Sequence, residues 1–77
     1  MNEYFRKVRK LIAEKAGLET DDVEMDSYFE DDLNIGEMEL IEIIEETEEM
    51  FKVELIEYKD DIETVEDLVE LLAEQIE

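Results

Sequence analysis

Phe29-Glu30-Asp31-Asp32-Leu33-Asn34-Ile35-Gly36-Glu37-Met38-Glu39-Leu40-Ile41-Glu42-Ile43-Ile44 is the stretch on which the fold turns. Its first half has no sustained period and ends in Asn34 and Gly36. Its second half opens a helix: Leu40, Ile43, Ile44, Thr47 and Phe51 fall at i, i+3, i+4, i+7 and i+11, one face of a helix over 37–51. Glu37 and Glu39 sit in its first turn, where the helix dipole favours negative charge. The opposite face is nearly all Glu, at 42, 45, 46, 48 and 49.

Upstream, Tyr4, Val8, Leu11 and Ile12 recur at helical spacing and predict a helix over 3–16. Gly17 suits the left-handed residue just past its end, and Lys15 in the last turn complements the dipole. Residues 18–36 form a long loop with a short helical turn near 21–24. A loop of that length in a small domain is either packed down or functional; Leu18, Val23, Tyr28, Phe29 and Leu33 are its candidate anchors. Downstream, 52–54 reads as a connector and 56–61 as a short helix or turn. Thr64 caps a last helix, with Asp67 three residues on completing a capping box. Val65, Leu68, Val69, Leu72 and Ile76 then repeat the helical spacing. No segment alternates as a strand. The expectation is one all-α domain spanning 1–77: a four-helix bundle of three main helices, one short helix and a long first loop.

Composition narrows the chemistry. The chain has neither cysteine nor histidine, which removes thiolate and imidazole nucleophiles, bases and metal ligands. Catalysis is not expected. The net charge is −20, unevenly placed. Residues 1–15 carry five bases against two acids, and the rest carries only Lys52 and Lys59 against 25 acids. Such a domain repels nucleic acid and anionic membranes and favours basic protein surfaces. Apolar residues make up 44% of the chain with clear periodicity, which argues against disorder. No apolar run approaches the roughly 20 residues of a membrane span. A cytoplasmic monomer is expected.

Acidic loops invite calcium. With Gly36 at the sixth position of an EF-hand loop, Asp31 would be first and Glu42 twelfth. Positions three and five would then be Leu33 and Ile35, which cannot ligate. No specific metal site is expected.

The stretch quoted above resembles the signature of acyl carrier proteins, Phe-x-Glu-Asp-Leu-Gly-x-Asp-Ser-Leu-Asp-x-Val-Glu-Leu-Val. It aligns without a gap, Asp31-Asp32-Leu33 matching Glu-Asp-Leu, and Met38, Ile41, Glu42 and Ile43 matching Leu, Val, Glu and Leu. The resemblance extends through Ala13, Gly17-Leu18 and Val23 upstream. Downstream it runs through Glu48-Glu49-Met50-Phe51, Val53-Glu54-Leu55 and Thr64-Val65, with one residue fewer than usual between Phe51 and Thr64. It implies the family's helical bundle and a place in fatty-acid or related lipid metabolism. In the family, the serine of Asp-Ser-Leu accepts 4′-phosphopantetheine through a phosphodiester. Here the Asp and Ser positions are Gly36 and Glu37, so no prosthetic group is expected there. Ser27, the only serine, is the fallback attachment residue, although Asp26-Ser27-Tyr28 is out of frame and Ser27 fits a turn better.

The resemblance also implies a use for the second helix, which the family presents to basic patches on partner enzymes. The corresponding docking residues are Glu37, Met38, Glu39, Ile41, Glu42, Glu45, Glu48 and Glu49. The expected function is therefore a carrier-like module without its prosthetic group, docking basic surfaces of biosynthetic enzymes or complex subunits. Two alternatives stand beside it. One is a working acyl or aminoacyl carrier whose serine was replaced, or that is modified at Ser27. The other is a structural or designed bundle that keeps carrier-like patterning.

Overall fold

The computed structural model describes residues 2–77 and contains three α-helices, α1 (Glu3–Ala16), α2 (Glu37–Phe51) and α3 (Val65–Ile76). Two 3-10 segments join them, Thr20–Asp22 and Ile56–Asp61. The order is the expected bundle, with the fourth, short helix wound as 3-10 rather than α.

The first helix forms where spacing and end signals agree. Asn2 caps it, its side-chain oxygen accepting from the Phe5 N–H at 2.9 Å. Its buried face is Phe5, Val8, Leu11, Ile12 and Ala13, and it stops at Gly17, whose φ of 70° is left-handed. The second helix buries Ile43, Ile44 and Thr47. Thr47 is polar yet fully enclosed, and its hydroxyl donates to the Ile43 carbonyl at 2.8 Å, so no partner is missing. The third helix buries Val65, Leu68, Val69 and Leu72. Together with Val8, Ile12 and Leu55 these make one continuous core. Each such side chain, fully buried, contributes about 1.5–3 kcal/mol relative to exposure.

The long loop is packed down rather than free. Val23, Phe29, Leu33 and Ile35 enter the core, and Leu18 packs against its edge. Tyr28 does not pin the loop through its ring, which is 47% exposed; its backbone does so instead, in an isolated antiparallel bridge to Thr64. Ile35 takes the anchoring place that Tyr28 was expected to fill. Loop carbonyls also serve α3: Ser27 O accepts from the Val65 N–H at 3.0 Å and Met25 O from the Glu66 N–H at 2.9 Å. These are first-turn donors that a helix cannot satisfy within itself. The loop thus fixes where α3 begins, and through Leu33 and Ile35 where α2 begins.

Candidate functional site

The N-terminal end of α2 is where loop, helix and second 3-10 segment meet. Gly36 stands at the N-cap position in extended conformation, and no side chain caps this end. Glu37 follows, exposed, its Oε2 accepting from Lys59 Nζ at 2.7 Å across 22 residues of sequence. That hydrogen bond, helped by the neighbouring Asp60 and opposed by partial desolvation, pushes the Lys59 ammonium pKa above its ordinary value. Beside the pair lies a cavity of about 390 Å³. Phe29, Ile35, Leu40 and Ile62 give it apolar walls, and Glu37 and Lys59 stand among its polar lining residues.

Along α2 the eight docking candidates divide by what their side chains touch. Met38 is 79% exposed, an unusual position for a large apolar side chain. Ile41 and Glu39 are half-buried, while Glu45 and Glu49 are exposed. Glu42 lies 3.7 Å from Lys15 Nζ on α1, and the neighbouring Glu46 pairs with the same ammonium. The hydrogen bond to Glu46 is the main reason the Lys15 pKa is raised. Glu48 turns away from solvent: its Oε2 accepts from the Leu55 N–H at 2.5 Å and the Ile56 N–H at 2.8 Å. Of the eight, exposed Met38 and Glu45 share a helical stripe with half-buried Ile41, and Glu39 and Glu49 flank it.

Arg6, Lys7 and Arg9 of α1 pair within the fold. Arg9 Nε donates to the Thr20 carbonyl at 2.6 Å, and its guanidinium lies 3.6 Å from Asp21, tying the loop to the helix. Arg6 and Lys7 pair with Glu3 of their own helix. Ser27, the fallback attachment residue, is only 7% exposed, and its Oγ accepts from the Glu24 N–H at 3.0 Å in a turn. Leu33 and Ile35 lie in the core. Among the described residues no group of three or more carboxylates is arranged to hold a metal ion. No described helix is long and apolar enough to cross a membrane.

Two features of this site were not found by sequence reasoning. Lys59 gave a signal that was there to use, since it is one of only two bases beyond residue 15 and was bound to attract a carboxylate. Glu48 gave none, because nothing in a run of glutamates marks the one that turns inward.

No protein-family model matches the chain. Individual proteins do. Over 71 residues it is 38% identical to the acyl carrier protein of Streptococcus pneumoniae serotype 4, covering 92% of this chain and 93% of that one. Over 74 residues it is 34% identical to the acyl carrier protein of Clostridium perfringens, covering 95% and 97%. Over 76 residues it is 33% identical to that of Petrotoga mobilis, covering 97% and 89%. Similarity at this level, running nearly end to end over a three-helix core with a packed first loop, means that this chain belongs to the acyl carrier protein family, a family of carriers rather than enzymes.

Proposed function

We propose that this domain is a carrier-family member that bears no 4′-phosphopantetheine and works by docking basic surfaces of biosynthetic enzymes through α2. The observation that carries the first half is Glu37. A phosphodiester to the prosthetic group needs a hydroxyl, and a carboxylate paired with Lys59 offers none. The residues at this end of α2 do not fit the group. Ser27 fits it no better, because its hydroxyl accepts a backbone hydrogen bond within a nearly buried turn.

The docking half rests on the surface of α2. Met38 projects an apolar side chain into solvent, with Ile41 one turn on and acids around it. An apolar contact ringed by charge of one sign suits a partner of opposite sign, where complementarity raises the encounter rate and sets the register. Such contacts weaken with salt, because exposed charges are screened over about 8 Å at physiological ionic strength. The partners are enzymes of fatty-acid or related biosynthesis, as the family implies. In this reading the domain acts as a cytoplasmic monomer.

The first half is tested by incubating the domain with coenzyme A and a phosphopantetheinyl transferase and measuring intact mass. No gain is expected, and a gain of the prosthetic-group mass mapping to Ser27 would replace this reading with that of a working carrier. The second half is tested by titrating a carrier-dependent biosynthetic enzyme with the domain. Binding should weaken at high salt and with Met38→Glu or Glu45→Lys; binding indifferent to all three would overturn the docking face.

A further inference from the structure

The Glu37–Lys59 pair joins the start of α2 to the middle of the 3-10 segment, far along α2 from the Glu48 bonds that hold the segment's start. The 3-10 segment Ile56–Asp61 is held at its start by Glu48, which takes the Leu55 and Ile56 N–H groups, and just past its end by buried Ile62. Between those points a 3-10 backbone has poorer hydrogen-bond geometry than an α-helix and yields more readily. Lys59 lies in this middle stretch. Its other ionic partner is the adjacent Asp60 at 3.4 Å, which ties it to nothing beyond its own segment. Its reach to Glu37 therefore holds the middle of the 3-10 segment to the start of α2, beside the cavity both residues line.

The two partners differ in cover. The Lys59 side chain is 24% exposed and Glu37 72% exposed. The lysine stem is packed down, whereas the carboxylate is open to a competing cation from outside. We infer that Glu37–Lys59 is a strap: it holds the 3-10 segment against the start of α2 and keeps the apolar walls of the cavity covered, and it releases when an external basic side chain takes Glu37. Release by a partner rests on the docking reading above; the strap itself does not.

An exposed ion pair is weak, and weakness suits this role. It biases the closed arrangement by a factor of about two to five, which one incoming guanidinium can reverse. The covered state is then the resting state of the free domain.

The test uses the free domain as Glu37→Gln, Lys59→Met, their double variant and Asp60→Asn. Two readouts apply: amide exchange of residues 56–62, and fluorescence of the uncharged apolar probe N-phenyl-1-naphthylamine. Each single change at the pair should raise both signals. The double variant should fall short of the product of the singles by about two- to fivefold, the coupling of an exposed pair. Asp60→Asn should leave both near the wild-type values. A double variant equal to the product of the singles, or an Asp60→Asn effect as large as Lys59→Met, would overturn the strap. For release, a tetra-arginine peptide should raise probe binding in the wild type and not in Glu37→Gln. A peptide without effect overturns release, while the coupling between Glu37 and Lys59 decides the strap independently.

Discussion

The starts of α2 and α3 solve the same problem in opposite ways. Every helix begins with backbone donors that it cannot satisfy within itself. At α3 they are met from within the fold: Thr64 Oγ1 accepts from the Asp67 N–H at 3.2 Å, and Asp67 Oδ2 accepts from the Glu63 and Thr64 N–H groups at 3.0 Å. Loop carbonyls take the next two. At α2 a glycine stands in the cap position, no side chain reaches back, and the first residue is committed to a lysine on another element. The start of the second 3-10 segment sides with α3, since Glu48 caps it from a distance. The two capped joints build the bundle, and the uncapped one is where the proposed loss of the prosthetic group is assigned.

If that division is right, disturbing the capped joints should cost stability and disturbing the uncapped one should not. The largest effect is expected from Glu48→Ala, which strips the acceptor from two backbone donors, one belonging to fully buried Leu55. Hydrogen bonds to a charged group contribute about 1.5–3 kcal/mol. Chemical denaturation should show a loss in that range, with Glu48→Gln milder because its amide oxygen still accepts. Thr64→Ala comes next, at about 1 kcal/mol for a lost helix cap. In a domain of this size that lowers the melting temperature by roughly 4–8 °C.

At the open joint the sign should reverse. Gly36 has a φ of −80°, and a Cβ added there meets nothing within 4 Å. Gly36→Asn should therefore fit, supply the missing cap and raise stability by only a few tenths of a kcal/mol. A large loss would mean that the glycine is structural and the comparison mistaken.

The smallest effect concerns pH and separates lysine pairing from the rest of the charge. Lys15 and Lys59 have pKa values raised above 10.5 by hydrogen bonds to Glu46 and Glu37. A base whose folded pKa is raised adds stability that is full below its unfolded value and lost as pH rises through the folded one. Tyr4, raised above 10.0 by desolvation and by Glu77, has the same sign because the fold favours its neutral form. Melting temperature should therefore fall as pH climbs past 10, and less steeply in a Lys15→Met/Lys59→Met variant.

Much of this was readable from the chain alone, for physical reasons. The bounds of α1 and α2 follow from apolar spacing joined to Gly17 and Gly36, and the start of α3 from Thr64 and Asp67. These are local signals, carried by residues a few positions apart. The choice of α2 as the docking helix came from the family resemblance. What stayed hidden depends on contact between distant residues. Lys59 meets Glu37 across 22 positions, and Glu48 reaches Leu55 past a left-handed Lys52. Tyr28 and Ile35 look equally suited to the core, and only the path of the loop decides that Ile35 enters it. Among the docking candidates the resemblance separates acids from the apolar contacts Met38 and Ile41, but it does not show that Glu37, Glu42 and Glu48 have partners within the fold.

The most direct test of the central claim compares the natural chain with Gly36→Asp/Glu37→Ser, which rebuilds the family's Asp-Ser-Leu core with Met38 in the third place. Both are treated with coenzyme A and a phosphopantetheinyl transferase and weighed intact. No mass gain is expected for the unaltered chain, and a gain is expected on the new serine of the variant, on an unchanged fold with open space at position 36. A gain on the natural chain, or a variant that stays unmodified while folded, would contradict the assignment of Glu37 to the cargo position.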